Sequence, residues 1–241
     1  MTATATDTDI VVRVVAQTAV DHDALRALGY SPRPETTPEA QELIEFAGRL
    51  CYASFDRPNP ATAANPDYIA NIIDHQHLSV LEHATVSMYL AVPRSVLAEI
   101  TRHRHFSFSV ISQRFVDASG LHWHLPPAVA GLPGPQRAEA AGILAETGRH
   151  IGEAYQRLVA LLGQQGLPRK QVREAARAVL PNMVSSPLVM TGNHRAWREF
   201  LLRRHSVHAD RSMQVLAAKV LAELRRIAPD LYADIDDRPH D

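Results

Sequence analysis

The segment Arg102-His103-Arg104-His105-Phe106-Ser107-Phe108-Ser109-Val110-Ile111-Ser112-Gln113-Arg114 packs three arginines, two histidines and three serines into thirteen residues. One reading is an exposed basic turn at a helix C-terminus, where arginines favour the dipole and stay solvated. The interleaved Phe106, Phe108, Val110 and Ile111 argue for partial burial instead, and a guanidinium taken out of water needs an anion beside it. Serine hydroxyls and backbone amides next to several guanidiniums suit a phosphate. The segment lacks the glycines of a Rossmann or P-loop site. Chemistry alone makes it a phosphate-binding loop.

Working outward, residues 85–92 place Val86, Met88, Leu90 and Val92 in partial alternation and read as a strand that Pro93 ends. Residues 95–102 read as a short helix that delivers Arg102, His103 and Arg104 into the loop, and 111–116 as a resumed strand. Residues 118–135 are rich in proline and glycine and read as irregular. Toward the N-terminus, 10–16 reads as a strand and 21–35 as a polar loop. Thr37, Pro38 and Glu39 open a helix whose apolar stripe is Leu43, Phe46, Ala47, Leu50 and Cys51, which predicts a core position for Cys51. Helical spacing marks 68–75, 136–163, 169–180, 193–204 and 210–227, and 186–191 reads as a short strand. No repeat, low-complexity tract or composition break interrupts the chain, so the expectation is one domain of mixed α and β elements over 1–241.

With 241 residues and 46% hydrophobic side chains, the chain can bury a substantial core. A formal net charge of −1 argues against a surface that tracks a nucleic acid, so any nucleotide partner is expected to be small. Lys170 and Lys219 are the only lysines. GC-rich codon usage would give the same arginine bias, so only the clustering of arginines counts as functional. A single cysteine excludes an internal disulfide and a four-cysteine zinc site. Residues 1–9 are polar and acidic, expected to be unstructured, and no stretch has the length of a membrane span. The expectation is a reduced, cytoplasmic protein with no membrane partner.

The spacing says more than the composition. Arg102-His103-Arg104, seven residues, then Ser112-Gln113-Arg114 resembles, in every defining position, the signature of the flavin-dependent thymidylate synthases, the ThyX class. His77-Leu78-Ser79-Val80-Leu81-Glu82-His83 resembles the family's His-x-Ser-x-x-Glu-His segment, and Ala176-Arg177-Ala178-Val179-Leu180-Pro181 its Ala-Arg-x-x-Leu-Pro segment. Thr191-Gly192-Asn193-His194-Arg195-Ala196-Trp197 is similar to its Asn-x-Arg-x-Trp segment, and Arg204 falls at its last conserved arginine. The resemblance runs from about residue 42 to 209.

That resemblance implies reductive C5-methylation of a uridine 5′-monophosphate, with FAD as cofactor, methylenetetrahydrofolate as one-carbon donor, NADPH as reductant and no protein nucleophile. The ordinary thymidylate synthase needs a low-pKa cysteine in an electropositive cleft, which a core Cys51 would not supply. Carried over by position, Ser79, Arg102, His103, Arg104, Val110, Asn193, His194, Arg195, Glu199 and His208 would hold FAD. Glu99, Arg102, Val110, Ser112, Gln113, Arg114, Arg177 and Arg204 would hold the nucleotide, and His77 would border the folate. Arg177 and Arg204 would face the pyrimidine, where guanidinium donors stabilise charge that develops on the uracil carbonyls, and Arg204 is the expected catalytic residue. The family further implies an α+β fold with a central, mostly antiparallel sheet flanked by long helices, and a homotetramer with active sites at subunit interfaces.

Three positions depart from the family pattern. Val110 stands where Gln or Glu is usual, Glu199 where His or Asn is, and Ser212 where Glu is. Neutral drift is one reading. The functional one is that an apolar Val110 near the sugar relaxes discrimination at the ribose. Two substrates therefore stay open: dUMP, the commoner, and UMP, which divergent members methylate for nucleoside antibiotics such as polyoxins. A catalytically inactive flavin-binding homologue is a third reading. His75, His77 and His83, like the pairs His103/His105 and His122/His124, lack the spacing of a zinc site, so no metal is expected. His122 and His124 read as surface or lid residues, with Trp123 either exposed or a buried anchor.

Overall fold

Alternation sets the central strands. In β2 (Thr85–Pro93) Val86, Met88 and Leu90 are buried while Thr85 and Tyr89 are exposed, and in β4 (Ser185–Asn193) Leu188 and Met190 are buried while Val189 is exposed. Period-two patterning of this kind turns one face to a core. With β1 (Val11–Gln17) and β3 (Ser107–Val110) they form a four-stranded sheet of order β1-β2-β4-β3. Backbone bonds from His194 to Ala84 and from Arg94 to Val184 bracket β2 and β4 as an antiparallel pair, and Thr18 bonds Thr85 where β1 ends and β2 begins. This computed structural model describes residues 10–120 and 122–241, so the expectation for 1–9 lies outside the described residues.

Among the described residues nine α-helices join the strands: α1 (His22–Ala27), α2 (Glu39–Cys51), α3 (Asn65–Asp74), α4 (Arg94–Ile100), α5 (Pro127–Ala130), α6 (Gly134–Gln164), α7 (Arg169–Ala176), α8 (His194–Arg204) and α9 (Arg211–Ile227). The fold is α+β. No helix is long and apolar enough to cross a membrane. By contact the described residues divide into two compact units, a first made of 10–11, 90–103 and 108–188, and a second made of 12–89, 104–107 and 189–241. Each strand runs on from one unit into the other, so no linker marks the boundary.

In the second unit α9 buries Met213, Leu216, Ala217, Val220, Leu221 and Leu224 at helical spacing, and the Asp210 carboxylate caps it by accepting from Ser212 N–H at 2.8 Å. On α8, Trp197, Phe200 and Leu201 are buried, and the Trp197 indole donates to Val86 O at 3.3 Å. Beside this apolar packing lies a buried ionic network. Glu45 of α2 is fully buried and accepts from Arg33 Nε at 3.0 Å, Arg49 Nε at 2.5 Å and Asn65 Nδ2 at 2.8 Å. Arg49 is buried with it, which satisfies the requirement that a charge removed from water be paired.

In the first unit the 31-residue α6 buries only Gly148 and Tyr155. A Cβ on Gly148 would stand 3.5 Å from the Trp123 indole, and the Tyr155 hydroxyl accepts from Ala118 N–H at 3.3 Å.

The structure corrects several expectations. Residues 21–35 are not all loop: Asp21 caps α1 by accepting from Ala24 N–H at 3.0 Å, and buried Leu25 anchors that short helix. The strand expected at 111–116 lies earlier, as β3. Ser107 and Ser109 are exposed and Phe108 and Val110 half-buried there, a period of two inside the serine-rich segment, and the chain turns after Ile111 bonds Pro187 O. On α2 the buried face is Gln41, Ile44, Glu45, Gly48 and Arg49, because the polar network displaces the apolar stripe. Leu50 and Cys51 are consequently exposed, and Cys51 is not a core residue. His124 is not a surface residue but is buried, bonding Ser185 Oγ at 3.1 Å, whereas His122 is exposed and Trp123 takes the buried-anchor alternative.

Candidate active site

Three of the sequence motifs meet in the second unit. The segment Thr191-Gly192-Asn193 ends β4 and starts α8, where the Asn193 side-chain oxygen accepts from Ala196 N–H at 2.8 Å and caps the helix. Phe106, from the arginine-rich loop, lies edge-on to Trp197 with ring centroids 4.7 Å apart. It also lies so near Gly192 that a Cβ there would come within 2.5 Å of its ring, so any other residue would force the ring to move. The third motif arrives through Glu82, the last residue of a 3-10 turn (Leu78–Glu82), whose carboxylate accepts from Arg195 of α8 at 2.5 Å.

Around this junction opens a hollow of about 250 Å³, lined by Glu82, His105, Asn193, Arg195, Ala196 and Glu199. It carries the partial positive charge of the α8 N-terminus and one guanidinium, together with two carboxylates. Glu199 reaches Arg203 at 2.6 Å, one turn further along α8.

Of the residues expected around a flavin, the hollow brings together Asn193, Arg195 and Glu199. Ser79, Arg104 and His208 are exposed and do not line it, nor does the exposed His77. The His194 ring points to the core: it is fully buried, its Nδ1 lies 2.7 Å from the Tyr232 hydroxyl, and burial pushes its pKa down to about 4. Arg204 ends α8 half-buried, and Ser212 is half-buried in the first turn of α9.

The first unit carries most of the residues expected around the nucleotide. Val110 closes β3 half-buried, and beyond it the chain folds into a turn in which Phe115 and Val116 N–H both bond Ser112 O, at 3.1 and 2.9 Å. Arg114 lies 3.5 Å from Glu174 of α7, both side chains about half exposed. Its neighbour on α7, Arg173, is buried and donates to Phe115 O, with Asp117 3.5 Å away. Hydrogen bonds from Ser119, then the Arg173 charge, hold the Asp117 carboxyl below its ordinary value. Gln113 is half-buried, Glu99 is half-buried on α4, Arg102 is exposed, His103 is half-buried with its N–H on Ile100 O, and Arg177 is exposed just past α7.

Sequence reasoning missed Glu82, His105 and Ala196 as lining residues, and Arg173, Asp117 and Glu174 as supports of the turn. Glu82 and His105 were available, since both lie inside quoted motifs. The pairing of Glu82 with Arg195 spans 113 positions and has no local signature. Chemically, a capped helix start with an exposed arginine beside a hollow can hold a polar ligand, and an arginine on a strapped serine turn can hold a phosphate.

Comparison with known proteins gives the family. The family model described as thymidylate synthase complementing protein matches residues 34–230. A protein of Mycobacterium phage L5 named "Probable flavin-dependent thymidylate synthase" is 48% identical over 238 residues, covering 95% of this chain and 98% of the relative. The protein of the same name from Mycobacterium phage D29 is 48% identical over 229 residues, covering 95% and 97%. The "Flavin-dependent thymidylate synthase" of Mycobacterium sp. (strain KMS) is 44% identical over 209 residues, covering 82% and 80%. This chain belongs to the flavin-dependent thymidylate synthase family, the ThyX class of enzymes.

Proposed function

We propose that the protein converts dUMP to dTMP, with FAD as cofactor, methylenetetrahydrofolate as one-carbon donor and NADPH as reductant. The observation that carries this reading is the meeting of three family motifs around the hollow at the start of α8. Arg195, the Asn193 amide and the helix start are suitable partners for a dinucleotide, so the residues present fit a flavin. Ser79, Arg102, His103, Arg104, Val110 and His208 would complete its surroundings, whereas the His194 ring serves the core.

When bound and reduced, FAD supplies the hydride for C6 of the uracil. The chain's own residues bind and polarise. Ser112, Gln113 and Arg114, with Glu99, Arg102 and Val110, cradle the nucleotide and its phosphate, and Arg114 is already steadied by Glu174. Arg177 and Arg204 donate to the uracil carbonyls and stabilise the charge that develops on the ring. His77 borders the folate. No protein nucleophile is needed, and the exposed Cys51 at the end of α2 stays outside this scheme.

The same reading includes one cytoplasmic domain over 1–241, partnered by small molecules, without nucleic acid or membrane, and assembled as a homotetramer with active sites at its interfaces. The test is tritium release from C5-labelled dUMP, with UMP run alongside, in the presence of FAD, methylenetetrahydrofolate and NADPH. The expected result is a yellow protein that releases tritium from dUMP. Arg204→Ala should keep its flavin and lose roughly a hundredfold or more in turnover. A protein that takes up no flavin overturns the reading, and flavin uptake without release from either nucleotide points to an inactive homologue.

A further inference from the structure

The segment that follows α9, residues 229–241, runs along α8 and holds it turn by turn. Asp230 N–H donates to the Gln41 side-chain oxygen of α2 at 3.1 Å, which anchors the segment where it starts. The Tyr232 hydroxyl lies 2.7 Å from His194 Nδ1, in the first turn of α8. One turn on, Arg198 donates to both oxygens of Asp234, at 2.8 and 2.6 Å, and to Leu231 O. One turn further, His240 Nε2 lies 2.9 Å from Leu202 O, and since a carbonyl can only accept, Nε2 carries the hydrogen. His194, Arg198 and Leu202 are spaced by four, so one face of α8 meets the segment from end to end.

The contacts at the far end matter most, because the last carbonyls of a helix have no partner within it. There His205 N–H takes Leu201 O at 2.8 Å and the His240 ring takes Leu202 O. The His205 ring gives no such help: it is fully buried, and neither nitrogen meets a hydrogen-bond partner among the described residues. Burying an imidazole in that state costs free energy and favours opening of the turn. The His240 backbone opposes that opening. It pairs with Ser206 as a parallel bridge, donating its N–H to His205 O at 3.0 Å and accepting from Val207 N–H at 2.9 Å. Arg204 ends the helix inside this turn, and His208 follows with its N–H 3.3 Å from Ser206 Oγ.

We propose that residues 229–241 are a strap that fixes the end of α8, and that His240 is a positioning residue for Arg204, acting through Leu202 O and the backbone of 205–207. The proposal rests on the role given to Arg204 above. A guanidinium that stabilises developing charge must act from a fixed place, and misplacement by about 1 Å is costly.

The test compares the wild type, His240→Ala and His240→Gln by tritium release from C5-labelled dUMP, with kcat and KM read separately, by flavin content, and by amide hydrogen exchange over 202–209. His240→Ala is expected to keep its flavin and its KM and to lose about tenfold in kcat. Its His205 and Val207 amides should exchange about fivefold faster, the value of one hydrogen bond. His240→Gln retains a side-chain N–H donor and should recover most of both losses. Unchanged exchange or full kcat in His240→Ala overturns the proposal, as does a loss of kcat that glutamine does not restore. A wild type that releases no tritium sinks the role of Arg204 alone, and the exchange at 205 and 207 then decides the strap.

Discussion

In the second unit, the residues around the hollow ride on the starts and ends of regular elements: Asn193 caps α8, Arg195 sits in its first turn, and Glu82 closes a 3-10 turn. In the first unit, Ser112, Gln113 and Arg114 sit on an irregular turn after β3. That turn keeps its shape through side chains, with Arg173 on Phe115 O and the Tyr155 hydroxyl on Ala118 N–H. Under the proposed assignment of flavin to the hollow and nucleotide to the turn, the difference suits a cofactor that stays and a substrate that comes and goes. A site on helix and strand ends is held by cooperative secondary structure, whereas a strapped turn can open locally without unfolding anything else. The scaffolds differ in the same sense: the second unit has a buried ionic network around Glu45, and the first has one buried guanidinium beside a half-exposed Asp117.

Removing Glu45 breaks the contrast from the rigid side and should have the largest effect. Glu45→Ala leaves Arg49 buried without its anion and Arg33 without its partner, and loss of one partner of a buried pair is worth about 3–5 kcal/mol. Urea unfolding reads this directly. A loss below about 1 kcal/mol would mean that water reaches the network, and the second unit would not be the stiffer of the two.

Acid tests the same unit next. Burial keeps the His194 ring neutral in the folded protein down to about pH 4, while the ordinary value is 6.5. Between those two values the unfolded chain binds a proton that the folded one refuses. Stability should therefore fall as pH is lowered through that window and be insensitive to this group above it, by about 3 kcal/mol over the whole span. Asp117 in the first unit, whose folded pKa is lowered, is stabilising above its ordinary value of 3.8 and loses that contribution as pH falls below it, a separate window. Urea midpoints taken from pH 7 to pH 4 check this, and a flat profile would mean that the ring is hydrated.

Arg173→Met probes the strapped turn and should do less to stability and more to substrate. Losing the bonds to Phe115 O and Asp117 should lower stability by about 1–3 kcal/mol. The KM for dUMP should rise several-fold with kcat and flavin content nearly unchanged, because only the turn carrying Ser112 to Arg114 is released. A fall in kcat at constant KM would place Arg173 in the chemistry instead and erase the distinction between the regions.

The contrast was partly legible in the sequence, and what was legible follows from periodicity. Val86, Met88 and Leu90 announced β2, and the spacing from Met213 to Leu224 announced α9, because each pattern is local and matches its element. The α2 face was misread for a physical reason. An apolar stripe at Leu43, Phe46 and Leu50 was visible, whereas burial of Glu45 and Arg49 depends on Arg33 and Asn65, which lie outside the helix. The same holds at the hollow. Asn193, Arg195 and Glu199 were named through the family resemblance, but Glu82 and His105 join them only through the fold, and the His194 ring turned out to serve the core through Tyr232.

The smallest expected effect concerns Val110, the one departure that lies inside the arginine-rich segment. It closes β3 half-buried, at the point where regular structure gives way to the strapped turn. Val110→Gln puts back the amide that the family usually has there, at a half-exposed position where a substitution changes stability by less than about 1 kcal/mol. If that position reads the sugar, the ratio of kcat/KM for dUMP over UMP should shift by a few-fold, up to about tenfold. Discrimination by a single hydroxyl needs a polar partner built to bond it, which valine is not. An unchanged ratio would remove Val110 from sugar recognition and leave the choice of nucleotide to the arginines on the turn itself.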